Sequence, residues 1–326
     1  MRVVLVGGFG HGHQHLQVWR KHPDVTALTV VGRNAERLAT LAAEYGVAVH
    51  TDLGAVVGDA DLVDICTPTD THDELTRVAL AAGRPTVVEK PPCRTADEAR
   101  ALRELAGATP LFCVLNYRFS PLWRRVRELV AWGSIGRPRL ALWPVLADNR
   151  HLMSGDQFRA DSARGGGALL DGAFHLVDLN PWVLGRPLRA VTAWLGRLAA
   201  EPPAGEDTAL VVYDYDGGVA QLTYSWAVAN PPRTPAATLV GDEATLLVPR
   251  SAKHALELVR DRATTEVDLG QYRSWSRNDL SNCLYHYVDC LAGRAQPECG
   301  WDDALHTQLV VEATEQAAAD GTRRAL

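Results

Sequence analysis

The chain has 326 residues, of which 47% are hydrophobic and 22% charged, and a formal net charge of -6. That length exceeds one ordinary core and predicts two domains, while the charge balance leaves no basic surplus for a nucleic-acid backbone. Six cysteines without a C-x-x-C pair argue against both a zinc knuckle and a disulfide scaffold. The run Val3 to Val6 is broken by glycine too early to be a signal segment. No apolar stretch approaches the roughly 20 residues of a membrane span. The expected setting is the cytoplasm, with neither membrane nor nucleic acid as a partner.

Val3 to Val6 has no polar alternation, as expected of a strand buried on both faces of a parallel sheet. It runs into Gly7-Gly8-Phe9-Gly10-His11-Gly12 and then a helix through Lys21. Strand, glycine turn and helix in that order aim backbone N–H groups and a helix N-terminus at a pyrophosphate. Gly7, Phe9, Gly10 and Gly12 are therefore candidate cofactor contacts, although Phe9 stands where G-x-G-x-x-G has its second glycine. A second strand, Leu28 to Val31, ends in Gly32-Arg33-Asn34, about twenty residues past Gly12, where an adenosine ribose is met. No acid stands there to accept from a 2'-hydroxyl. Arg33, with Asn34 beside it, suits a 2'-phosphate, so NADP(H) is expected in preference to NAD(H); the plainer reading of Arg33 is a solvated cation at a helix entry. His11, His13 and His15 alternate, which on a helix points neighbours about 200° apart, and no cysteine or carboxylate lies near them in sequence. No metal is expected.

The alternation continues with Leu62 to Cys66, then Thr67-Pro68 and His72, a helix from Glu74 to Ala82, and the strand Thr86 to Val88 leading into Glu89-Lys90-Pro91-Pro92. Polar residues at the carboxyl ends of parallel strands lie where ligands bind. From residue 121 the pattern changes to a helix, Leu122 to Trp132, and then to longer strands with a hairpin between Thr208 and Trp226. Between them Gly165-Gly166-Gly167 opens a segment with Asp171 and His175 four residues apart. A helix there would put a carboxylate and an imidazole on one face, a pairing suited to proton transfer. The bland alternative is a capping Asp and a packed His. Arg118, Asn149 and Arg159 are further candidates for the substrate pocket.

Together these motifs make the chain resemble the glucose-fructose oxidoreductase, inositol dehydrogenase and rhizopine catabolism (Gfo/Idh/MocA) family. The likeness rests on Gly12, His15, Thr67-Pro68, His72, Glu89-Lys90-Pro91, Asn116 to Pro121, Gly133 to Pro138, and Gly165 to Gly167 with Asp171 and His175. It implies an α/β fold: a Rossmann dinucleotide-binding domain over residues 1–120, then a substrate-binding and oligomerisation domain over 121–326 with a large open, mostly antiparallel sheet. It also implies Lys90, Asp171 and His175 as the catalytic set, all three touching substrate, with Gly7, Gly12, Thr67, Pro68 and Glu89 lining the cofactor and His72 and Lys90 beside them. The expected activity is hydride transfer to or from a polyhydroxylated small molecule: a sugar, ketosugar, nucleotide sugar or cyclitol. The expected assembly is a homodimer or homotetramer through the second sheet. An imine reductase and a catalytically silent ligand sensor on the same fold are the alternative readings.

Overall fold

The structure, a computed structural model, describes residues 1–153, 157–199, 205–251, 254–269 and 279–326. Its first sheet is built from β1 (Arg2–Val6), β2 (Ala27–Val31), β3 (Ala48–His50), β4 (Leu62–Ile65), β5 (Thr86–Val88) and β6 (Leu111–Cys113), joined by the helices α1 (Gly12–Lys21), α2 (Ala35–Tyr45), α3 (His72–Ala81) and α4 (Ala96–Ala106). The strands are parallel and ordered β3-β2-β1-β4-β5-β6. β1 is central, and Val3 and Leu5 are 1% and 0% exposed, which explains its unbroken apolar run. The order reverses between β1 and β4. The crevice outside their carboxyl ends is where such folds bind ligands, and it is where the glycine turn and Thr67-Pro68 emerge.

The second sheet has nine strands: β7 (Pro138–Leu146), β8 (Leu188–Gly196), β9 (Thr208–Tyr215), β10 (Gly218–Ser225), β11 (Ala237–Gly241), β12 (Thr245–Val248), β13 (Leu256–Arg260), β14 (Ala263–Val267) and β15 (Arg324–Ala325), in the order β14-β13-β12-β11-β7-β10-β9-β8-β15. Its neighbours run antiparallel except β7 and β10, which are parallel, so the sheet is mixed. The expected hairpin closes between Tyr215 and Gly218. Two helices, α5 (Pro121–Ala131) and α6 (Phe174–Leu184), pack together beside this sheet. α6 buries Phe174, Leu176, Val177, Leu179 and Val183 and has no polar stripe, the mark of a helix enclosed on all sides. The indole Nε1 of Trp143 on β7 donates to Asn180 Oδ1 on α6 at 3.1 Å, fixing the helix to the strand.

The chain divides into two compact units, Met1–Asn116 with Leu280–His306, and Tyr117–Asp279 with Thr307–Leu326. This differs from one boundary after residue 120, because part of the C-terminal region returns to the first unit. Helix α7 (Asp279–Leu291) buries Cys283, Leu284, Tyr287 and Val288. Tyr287 stacks on Phe112 of β6 and its hydroxyl donates to Cys113 O at 2.6 Å. At the start of α8 (Trp301–Asp320), Trp301 Nε1 donates to Ala99 O of α4 at 2.9 Å. Among the described residues, no helix is long and apolar enough to cross a membrane.

Candidate active site

The glycine turn of the first unit is dictated by close approach. A Cβ on Gly12 would lie 1.6 Å from Gly7 O, and one on Gly7, whose φ is +95°, would lie 2.2 Å from Cys66 O. Neither position admits a side chain, and Gly10, exposed at φ +59°, has open space where its side chain would be. Such a turn fits a pyrophosphate on the N-terminus of α1. Phe9 packs on the cluster of Leu5, Leu16, Val30, Leu38, Leu41 and Cys66. The Arg37 guanidinium covers its ring at 4.0 Å, a contact that nothing in the local sequence marks. At the end of β2, Arg33 is exposed, and Asn34 is the N-cap of α2, its Oδ1 accepting from Arg37 N at 2.9 Å. Thr67 and Pro68 are half-buried, and Thr67 Oγ1 accepts from the Thr71 hydroxyl at 2.7 Å.

Behind this turn lies a buried charge network. Asp64 Oδ2 accepts from Trp19 Nε1 at 2.6 Å and lies 2.7 Å from His15 Nδ1. The other imidazole nitrogen, His15 Nε2, is 3.1 Å from Glu89 Oε1, which is also 3.3 Å from His11 Nε2. Burial works against charge on His15, but the attraction and hydrogen bonding of Asp64 and Cys66 together outweigh it and the imidazole titrates well above its ordinary value. Burial likewise opposes ionisation of Glu89, yet His11 and His15 hold its carboxyl well below the usual range. Sequence spacing therefore misjudged the histidines. His11 and His15 stand one turn apart and a carboxylate does reach them, from Glu89, far along the chain. The available signal for Asp64 was a carboxylate inside the fully buried run Leu62–Ile65.

Two expected cofactor contacts, Glu89 and His72, have partners within the first unit. Glu89 is 5% exposed, with its carboxylate committed to the histidines and to Lys90 N at 2.9 Å. His72 is 1% exposed, and its ring nitrogens lie 2.9 Å from Thr67 O and 2.9 Å from Pro91 O. It ties the loop after β4 to the turn after β5. Lys90 itself is half-buried, at the head of a cis peptide bond to Pro91.

In the second unit, Gly165 and Gly167 adopt φ +83° and +99° and lead into a π-helical segment, Ala168–Ala173, ahead of α6. The expected regular helix from Asp171 is thus a wider π turn followed by an α-helix, and Asp171 and His175 are not one α-turn apart. Single π turns of this kind recur at functional sites. Arg159 Nε donates to Asp171 Oδ2 at 2.8 Å, so two predicted substrate residues do meet. His175, half-buried, stacks flat on Tyr117 at 4.4 Å with 8° between the rings, an orienting contact absent from the sequence reading. Tyr224 and Trp226 crowd Gly172, where a Cβ would lie 2.5 Å from the Tyr224 ring and 2.9 Å from the Trp226 ring.

Arg118, expected at substrate, is instead bidentate on Asp178 of α6, at 2.9 and 2.5 Å, with the two side chains 12% and 1% exposed. Its geometry is that of a structural ion pair. Asn149 is half-buried, with its backbone N–H on Trp226 O at 2.9 Å.

A parallel sheet in this order with a glycine turn at its switch point, followed by a unit with a mixed nine-stranded sheet and with Asp171 and His175 on the helical segment beside it, defines a dinucleotide-dependent oxidoreductase. The chain belongs to the Gfo/Idh/MocA family. Residues 1–117 match the oxidoreductase family, NAD-binding Rossmann fold, and residues 123–247 match the GFO/IDH/MocA C-terminal domain. D-apiose dehydrogenase of Paraburkholderia graminis is 27% identical, over 98% of this chain and 88% of its own. Inositol 2-dehydrogenase 4 of Saccharopolyspora erythraea is 30% identical, over 67% of this chain and 64% of its own. Levoglucosan dehydrogenase, solved in complex with NADH, shares the fold at a TM-score of 0.86 with 20% identity, covering 100% of this chain and 98% of that one.

Proposed function

We propose that the protein is an NADP(H)-dependent oxidoreductase of a polyhydroxylated substrate, a sugar, ketosugar, nucleotide sugar or cyclitol, interconverting a CH–OH group and a carbonyl. The substrate class is supported by relatives named for D-apiose and inositol. The cofactor reading rests on one observation: the end of β2 carries Arg33 and, one helical turn further, Arg37, both exposed, with no acid between Gly32 and Asn34 to take a ribose 2'-hydroxyl. A guanidinium there suits a 2'-phosphate.

In this reading Gly7, Phe9, Gly10 and Gly12 hold the pyrophosphate, Arg33 and Asn34 the adenosine end, and Thr67 and Pro68 flank the ring end. The bound dinucleotide supplies hydride acceptance or donation. Lys90 stabilises negative charge on the reacting oxygen. His175 takes or returns the hydroxyl proton, its ring plane held by Tyr117. Asp171, held by Arg159, accepts from a substrate hydroxyl. The outer face of the nine-stranded sheet, where Trp194, Leu210, Val212 and Val219 are exposed, supports a homodimer or homotetramer built on that sheet.

The test is titration of the protein with NADPH and NADH by fluorescence, followed by turnover on a panel of sugars and cyclitols. NADPH is expected to bind at least about 10-fold tighter, the worth of one charge-assisted contact, and Arg33→Asp to abolish that preference. Equal or tighter NADH binding rejects the NADP(H) assignment. Absence of turnover across the panel rejects the substrate class.

A further inference from the structure

His11 and His15 open α1 on one face, ring centroids 5.6 Å apart, and Glu89 at the end of β5 reaches both. The Glu89 Oε1 atom is 3.3 Å from His11 Nε2 and 3.1 Å from His15 Nε2, and the three donor atoms lie within 4.8 Å of one another. A tetrahedral ion with bonds of about 2.0–2.1 Å sets its donors about 3.3 Å apart, so both printed edges have the length such an ion requires. Behind His15, Asp64 already accepts from Trp19 and can only accept again from His15 Nδ1. Nδ1 therefore carries hydrogen and Nε2 is the atom presented to Glu89. A carboxylate on the far nitrogen is the arrangement that orients metal-ligating histidines.

We propose that His11 Nε2, His15 Nε2 and Glu89 Oε1 form a binding site for a zinc-class divalent cation, with Asp64 as the positioning residue behind His15. Two imidazoles with one carboxylate favour zinc, cobalt or nickel over magnesium and calcium, which take all-oxygen shells. Three protein donors leave the fourth position to water or a ligand oxygen. The positive end of α1 would repel a cation, and the carboxylates of Asp64 and Glu89 offset it. In the absence of an ion, hydrogen on the imidazoles fills the gaps to Glu89. The site lies at the glycine turn and uses none of the atoms assigned above to hydride or proton transfer.

The experiment is titration of the full-length, chelator-treated protein with Co2+, read by its visible absorption, with Zn2+ as competitor. One equivalent of Co2+ is expected to saturate the signal and Zn2+ to displace it. His11→Gln, at an exposed side chain and with retention of the fold checked by circular dichroism, is expected to weaken binding at least about 10-fold, the range seen when a site loses a supporting group. His13→Gln is the control, since His13 faces Tyr45 at 2.8 Å and not Glu89. No saturable site, a site unaffected by His11→Gln, or one weakened equally by His13→Gln overturns the proposal.

Discussion

Lys90 and Arg118 show how differently two cations in a binding protein can be used. Lys90 stands half-buried at the turn after β5, and its proposed work is confined to the charge that develops during reaction. Lys90→Met is therefore expected to fold and to bind dinucleotide nearly as well as the parent, while kcat falls about 10²- to 10³-fold, as for removal of one oxyanion donor. Steady-state kinetics alongside nucleotide titration checks this. Arg118 does the opposite, neutralising Asp178 in the interior. Arg118→Leu removes the guanidinium from that buried carboxylate, leaving the Thr307 hydroxyl at 3.3 Å, and should lower stability by about 3–5 kcal/mol, with part recovered in Arg118→Leu/Asp178→Leu. Chemical denaturation of the two variants measures it. Residue type alone could not separate these roles. Lys90 could be singled out in the sequence because two charges end an apolar strand before two prolines, whereas the partner of Arg118 lies sixty positions away.

At the level of elements, β1, β2 and β4 were readable because each apolar run is followed within two residues by Gly7, Gly32 or Thr67 and then by a helix with its own apolar spacing. The helix expected from Glu74 to Ala82 runs instead from His72 to Ala81, and His72 at its start ties two loops together. Burial holds the His72 imidazole below its ordinary value, with the Thr67 and Pro91 carbonyls and Glu89 only partly opposing it. The folded protein thus refuses a proton that the unfolded chain accepts. Stability from this tie is complete above the ordinary histidine pKa, near 6.5, and is lost as pH falls through and below it. Denaturation midpoints measured from neutral pH downward should show a steeper acid decline in the parent than in His72→Gln, by up to about 1.4 kcal/mol per pH unit. The π turn at Ala168–Ala173 was not legible, because a triple glycine before an apolar run reads equally well as an ordinary helix entry.

Across the whole molecule, the second sheet leaves Trp194 of β8 directly opposite Leu210 of β9 on one exposed face. If that face is the assembly surface, Leu210→Arg should give a smaller species than the parent by light scattering, with the fold kept by circular dichroism. An unchanged mass would place the contact elsewhere. The strands of this sheet were visible as runs between turns, but nothing local in the chain announces that 280–306 belongs with the first unit. That return has a bearing on how the protein is made. During vectorial synthesis a Rossmann-type unit ordinarily closes behind the ribosome before its neighbour is translated. Here residues 1–116 emerge without the Tyr287 and Trp301 anchors of their unit, and β8 waits for Arg324 and Ala325 to complete its edge. The first unit cannot finish before Trp301 is read, nor the second before Ala325, so a chain stopped short of Trp301 leaves both units incomplete and open to chaperones or proteases.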